Sequence, residues 1–300
     1  MGAARFLRGL LEVVDPTSIV VIVNTGDDKP FYGLKVSPDI DINLYSLAGI
    51  INPEHNWGVA GDTFRALEML RRYGQDTWFA LGDSDLATHI FRTWQLGLGR
   101  PLSQITQELC ERLGIGPRLL PMTDDVVATM IETPHGNFDF QEYLVQRATE
   151  DEVLGVHFTG IASASPAPGV LEAIRESEVI LIPPSNPIVS VGPILAVPGI
   201  REAVLTSGAP VVGVSPIVGG RTIKGPADKL LRALGYEATP LAVAQFYRDI
   251  LHAWVIDLQD ASFASEIERM GLGVAVTDTD LSDAEKRRVV ARTCLDLAGN

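Results

Sequence analysis

Short β-branched runs that stop abruptly at glycine, proline or serine recur along the chain: SIVVIVN, TWFAL, EVILIPP, APVVGVSP and GVAVTD. Each is apolar throughout rather than alternating, which is the pattern of a strand covered on both faces. Amphipathic stretches of helical period lie between them: TFRALEMLRRYG, with Gly74 as its C-cap, then LSQITQELCERLG, PGVLEAIRES, PADKLLRALG and LAVAQFYRDIL. The alternation predicts an α/β fold, a mostly parallel sheet wrapped by helices, in one domain spanning residues 1–300. Around residues 120–160 the pattern changes. MIETPHGNFDFQEYLVQR has hairpin character at His135-Gly136-Asn137, so a smaller inserted α+β element is expected there. No internal repeat, linker or low-complexity segment interrupts the chain.

In parallel sheets, ligands sit beyond the carboxyl ends of the strands. SIVVIV runs into Asn24-Thr25-Gly26-Asp27-Asp28, EVILIPP into Ser185-Asn186, and APVVGV into Ser215 and then Gly219-Gly220. The first loop and the following SPDIDINLY bring four aspartates together: Asp27, Asp28, Asp39 and Asp41. Single aspartates commonly stabilise turns. Four in a group repel unless a cation or a donor cluster joins them, and Mg²⁺ prefers carboxylate oxygens shared with substrate phosphates. Asp39 and Asp41, two apart, reach one side if the segment is extended. If a helix follows the loop, Asp41 is instead an N-terminal cap.

Three further stretches have a functional and a purely structural reading. Pro184 and Pro187 stiffen the chain around Ser185 and Asn186, either as a rigid connection or to present polar groups. Gly219 and Gly220 permit close backbone approach, and Arg221 and Lys224 add positive charge before a helix start, although no Walker spacing is present. LGDSDLATHIFRT places His89 and Arg92 on one helix face, in reach of a substrate anion, after Asp83 and Asp85, which also suit a helix's first turn.

Composition narrows the field. Hydrophobic content of 46% with 21% charged residues is that of a globular chain, and a formal net charge of −14 disfavours nucleic-acid binding. Cys110 and Cys294 read as buried thiols, and five scattered histidines give no zinc spacing. No apolar run reaches the ~18 residues of a membrane span, and the amphipathic start lacks a signal-peptide layout, so a cytoplasmic protein is expected. Neither a GxSxG elbow nor a kinase signature is present.

Taken in order, ARFLRGL, NTGDD, SPDIDINLY, LGDSDLATHIFRT, PPSNPIVSVGPIL and SPIVGGRTIKGPADK cover nearly the whole chain. As a set they resemble the 2-phospho-L-lactate transferase family of deazaflavin coenzyme biosynthesis. The resemblance implies a Rossmann-like core, Mg²⁺ dependence and a homodimer. It also implies a reaction. The ribityl hydroxyl of hydroxy-deazariboflavin attacks the phosphorus carrying lactate, or its enolpyruvyl analogue, in a guanosine diphosphate-linked donor, and GMP leaves. On that resemblance Asp39 and Asp41 would be the metal residues, supported by Asp27 or Asp28. Ser185, Asn186, Ser215, Gly219, Gly220 and Lys224 would hold the guanosine diphosphate portion, and Asn24 and Thr25 would border the cleft. Family members open with a strand and a glycine-rich turn ahead of ARFLRGL. The chain starts at Met1-Gly2-Ala3-Ala4-Arg5, so that strand and turn are expected to lie upstream or to have been lost. The competing expectation is a nucleotide-binding regulatory protein on a related core, which would keep the phosphate-facing loops without needing the acidic cluster.

Overall fold

A computed structural model of the chain describes residues 2–223 and 225–299. Thirteen strands are described: β1 Val20–Val23, β2 Lys29–Phe31, β3 Leu34–Val36, β4 Arg118–Pro121, β5 Ala128–Thr133, β6 Gly136–Asp139, β7 Gly155–Thr159, β8 Ile180–Ile182, β9 Val211–Val214, β10 Ile217–Val218, β11 Arg221–Thr222, β12 Ala253–Asp257 and β13 Gly273–Thr277. The helices that matter most for the site are α1 Gly2–Leu10, α2 Pro38–Leu47, α3 Arg65–Arg72, α4 Asp83–Gly97 and α5 Leu102–Arg112.

The fold is α/β, as the alternation predicts. β13, β12, β9 and β8 form a parallel sheet in that order, with Ala253 opposite both Gly273 and Val212, and Ile180 opposite Val211. β1 and β4 form a second parallel pair, Val20 against Arg118. Helices cover both faces. On one side α1 packs on the C-terminal helix Ala284–Ala298, closing a core of Phe6, Leu7, Val212, Val255 and Val290. A larger core on the other side is centred on Trp254, Leu230, Val243 and Ile256, all completely buried. Gly213 is obligatory in β9, because a Cβ there would lie 2.3 Å from the Trp254 ring.

Residues 128–159 form an antiparallel sheet, β6-β5-β7, with β5 and β6 joined through Pro134-His135. β2 and β3 make a tight hairpin whose two turn residues, Tyr32 (φ 52°) and Gly33 (φ 79°), both adopt positive φ.

Two expectations need correction. TWFAL is not a strand. Residues 77–81 follow an irregular path in which Phe79 stacks on Phe31 at 3.8 Å, Trp78 meets the same ring edge-on and Leu81 is buried. Its apolar character serves this aromatic cluster rather than a ladder. SPDIDINLY is not extended either: Pro38 opens α2, with Asp39 and Asp41 in its first turn. Proline at the first helical position and early carboxylates are helix-start signals, and they prevail over the strand reading.

Candidate active site at the sheet's carboxyl edge

The loops after β1, β8, β9 and β13 meet at one cleft of about 540 Å³. Asp27 and Asp39 stand on its floor. After β1 the chain turns sharply: Asn24 Oδ1 accepts from the Gly26 amide at 2.8 Å. A Cβ on Gly26 would approach Thr129 Oγ1 to 2.7 Å, so only glycine brings the loop this close to β5. Asp27 is thereby buried, with one carboxyl oxygen left without a hydrogen-bond partner. Burial pushes its carboxyl well above the usual range, the Asp39 and Asp28 charges add to that, and the nearby polar side chains of Asn24 and Thr129 oppose it. Burial also raises Asp39, opposed by the Asn24 amide, which donates to Asp39 Oδ2 at 3.0 Å. The same amide donates to Val189 O at 3.3 Å.

The structure does not bring Asp39 and Asp41 together. Positions two apart on a helix point about 200° apart, so the side chains diverge. Asp41 turns inward, where both of its oxygens meet the Arg92 guanidinium, Oδ2 at 3.2 Å. Both aspartates line the cleft, but Asp41 is engaged by Arg92 while Asp39 lies beside the Asp27 charge, so Asp27 and Asp39 are the carboxylates left to hold a ligand. Asp28 is also withdrawn from the cleft. Its Oδ2 accepts from Ser37 Oγ at 2.6 Å and lies 3.4 Å from Lys35 Nζ, and burial raises its pKa to about 6.

The polar face of α4 builds a buried network. Arg92 is fully buried and donates to Asp41 and to Lys35 O. Its NH1 lies 3.3 Å from His89 Nδ1. His89 Nδ1 also lies 3.6 Å from Asp41 Oδ2, and its Nε2 lies 3.2 Å from Asp85 Oδ1. The Tyr45 hydroxyl donates to that same oxygen at 2.7 Å. Burial opposes the Arg92 charge, but Asp41, backed by Asp28, holds its pKa above the ordinary value. Asp85 and His89 line the cleft; Arg92 is sealed behind them, so it cannot touch a substrate as the sequence reading expected. It acts through Asp41, by fixing the start of α2.

Of the expected donor-binding residues, Ser185, Asn186 and Ser215 reach the cleft. Asn186 caps the turn that follows it, accepting from the Ile188 amide at 2.9 Å, while its own Nδ2 is buried without a partner. Ser215 Oγ is committed to its own turn, donating to Ile217 O at 2.9 Å. Gly219 and Gly220 are corrected: both have positive φ and form the β10–β11 turn, with the Gly219 amide bound to Asp260 and Gly220 O held by Arg232. Their neighbours Val218 and Thr222 line the cleft instead. Asn24 and Thr25 lie buried behind the floor, Thr25 with an unpartnered Oγ1. Lys224 lies outside the described residues.

Sequence reasoning missed several lining residues. Gly2 and Arg5 of α1 reach the cleft, and among the described lining residues Arg5 carries the one guanidinium. Thr279 and Asp280 follow β13, where the strand-end rule already pointed. Trp57, Trp78 and Phe79 make an aromatic wall that no local motif announces.

Paired carboxylates and polar loop ends, with aromatic side chains beside them, at the carboxyl edge of a parallel sheet make this cleft the candidate active site of an α/β enzyme. The sequence profile of the family described as 2-phospho-L-lactate transferase CofD matches residues 1–295. The chain belongs to that family and is a transferase. It is 48% identical over 304 residues to a phosphoenolpyruvate transferase of Streptomyces griseus, covering 99% of this chain and 96% of that protein. It is 38% identical over 296 residues to a 2-phospho-L-lactate transferase of Methanosarcina acetivorans, covering 99% and 96%. A crystal structure of a UPF0052-family protein from Bacillus halodurans superposes with a TM-score of 0.63 at 20% identity, over 98% of this chain and 96% of that one, and shows the same fold.

Proposed function

We infer that the enzyme transfers a phosphoenolpyruvyl group, or its phospholactyl counterpart, to the ribityl hydroxyl of hydroxy-deazariboflavin in coenzyme F(420) biosynthesis. The donor is guanosine diphosphate-linked, and GMP is released. The observation that carries this reading is the Asp27–Asp39 pair, placed between an aromatic wall and the polar loops after β8 and β9. Relatives 45–48% identical, from Streptomyces, Kitasatospora and Thermobifida, are all named phosphoenolpyruvate transferases, which favours the enolpyruvyl donor.

The residues present fit a hard divalent cation. Asp27 and Asp39 have raised pKa values because their charges are buried and adjacent, and Asp27 has an unpartnered oxygen. Among the described residues no group of three or more His, Cys, Asp or Glu could enclose a metal. Two carboxylates suit Mg²⁺ nonetheless, because it keeps waters and substrate phosphate oxygens in its shell. When bound, Mg²⁺ neutralises charge on the phosphoryl oxygens.

The chain's own groups do the rest. Ser185, Asn186 and Arg5 anchor the diphosphate, and Trp57, Trp78 and Phe79 hold the deazaflavin ring by apolar contact. The ribityl hydroxyl then faces the carboxylate pair; the new P–O bond forms as the bond to GMP breaks, and a cleft carboxylate oxygen not on the cation takes the hydroxyl proton. His89 and Asp85 orient the acceptor's polar edge. Among the described residues no single helix is long and apolar enough to cross a membrane. Fluorescence titration with the deazaflavin alcohol, and mass spectrometry of the product from each donor with Mg²⁺, test the reading. Guanine-nucleotide binding without deazaflavin binding or turnover would favour the regulatory protein instead.

A further inference from the structure

Between α2 and α3, residues 50–60 form an arm that reaches α1. Its stem is knit by backbone bonds: the Ala60 amide donates to Ile50 O at 2.7 Å, the Asn52 amide to Gly58 O at 3.0 Å, and Ile51 bridges Val59. Its tip is knit as well. Asn52 Oδ1 accepts from the amides of Glu54 and His55, the Asn56 amide donates back to Asn52 O at 2.9 Å, and the His55 ring stacks on Trp57. The arm is thus one unit, and the Trp57 that it brings to the cleft is 37% exposed. The tip also meets another element: Arg5 of α1 donates through Nε to Asn56 Oδ1 at 3.3 Å.

That bond leaves the Arg5 guanidinium half used. Arg5 lines the cleft, and among the described residues its two Nη groups make no hydrogen bond or ion pair. A guanidinium is a planar fork, so with Nε committed its Nη edge can still clasp a phosphate through two parallel bonds. Fixing that edge fixes the whole plane, Nε included. Asn56 is held at φ 60°, a conformation that asparagine tolerates better than most residues, and the next residue is Trp57. One guanidinium and one carboxamide therefore separate a phosphate on α1 from the aromatic side chain of the arm.

We propose that Asn56 is a positioning residue that couples the two substrate sites: donor diphosphate on Arg5 fixes the arm through Asn56, and the fixed arm presents Trp57 to the flat ring of the acceptor. The proposal rests on the transferase reading above and adds cooperation between donor and acceptor to it. Without an anion on Arg5 the acceptor ring must order the arm itself; with the donor in place the arm is already ordered, so the ring binds more tightly. Linkage makes the effect reciprocal.

Fluorescence titration of the full chain with hydroxy-deazariboflavin, with and without saturating GDP and Mg²⁺ as a non-reacting stand-in for the donor, reads the coupling. The wild-type chain should bind the deazaflavin about five-fold or more tighter with GDP present, and the deazaflavin should tighten GDP by the same factor. Asn56→Gly keeps the positive φ and removes the acceptor oxygen. It should leave deazaflavin affinity without GDP within about two-fold of wild type and bring the coupling factor to about one. Asn56→Asp keeps an oxygen for Arg5 Nε and should retain the coupling. Equal deazaflavin affinity with and without GDP in the wild-type chain, an Asn56→Gly chain that keeps the wild-type factor, or an Asn56→Asp chain that loses it would each overturn the proposal and leave the transferase reading standing. A wild-type chain that binds no deazaflavin in either condition would overturn both.

Discussion

Replacing Arg92 by methionine should expose how much the floor of the cleft depends on a residue no substrate reaches. Methionine fills much of the same volume, so the loss is chiefly electrostatic. Arg92 is completely buried, and it binds both oxygens of Asp41, which is itself 5% exposed. Removing the guanidinium leaves a buried carboxylate near Asp28, Asp85 and the Tyr45 hydroxyl, with Lys35 as the remaining nearby cation. Breaking one partner of a buried ion pair costs about 3–5 kcal/mol. Unfolding entropy of about 2.1 cal/mol/K per residue, for a chain of this length, converts about 4 kcal/mol into a Tm drop of about 6 °C. Differential scanning calorimetry measures it. A second substitution, Asp41→Leu, removes the stranded charge and should recover part of the loss, so the pair is non-additive in a double-mutant cycle. Arg92→Met with an unchanged Tm, or a double variant showing simple additivity, would refute the account of Arg92 as the neutraliser of Asp41.

Asp39→Asn should lower turnover at least about a hundredfold while leaving Tm within a few degrees, checked by steady-state kinetics and calorimetry on one preparation. Asp27→Asn should raise the stability of the metal-free chain at pH 7, because it removes a buried charge held close to Asp39; a lower Tm would contradict the repulsion. Asp28 has a folded pKa of about 6 against 3.8, so the folded state binds its proton more tightly. Its stabilising contribution is complete below about pH 4 and lost as pH rises through 6, on the order of 3 kcal/mol, and Asp28→Asn should flatten that window in a pH series of denaturation midpoints. Gly213→Ala should cost about 1–3 kcal/mol by forcing a methyl group into the Trp254 ring, read from the urea midpoint.

The sheet was legible because SIVVIVN, EVILIPP, APVVGVSP and GVAVTD are uninterrupted apolar runs, although of these only β9 is buried throughout and β13 is a partly exposed edge strand. The same signature misled at TWFAL, since an aromatic cluster and a buried strand both demand consecutive apolar residues. β12, the fully buried AWVID, escaped notice although it lies between β9 and β13. The strand-end rule located the cleft and its aspartates. It could not say which carboxylates face each other, because that depends on α2 being helical and on Arg92, fifty-one residues away, claiming Asp41. Arg5 and Trp57 reach the cleft through tertiary packing and leave no trace in local spacing.

Asn24 ties a loop near the start of the chain to one 165 residues later, with one amide shared between Asp39 and the Val189 carbonyl. The base of the cleft is therefore stitched across the chain by one side chain. A change at Asn24 would loosen two distant stretches of the chain at once, the start of α2 and the turn at Val189.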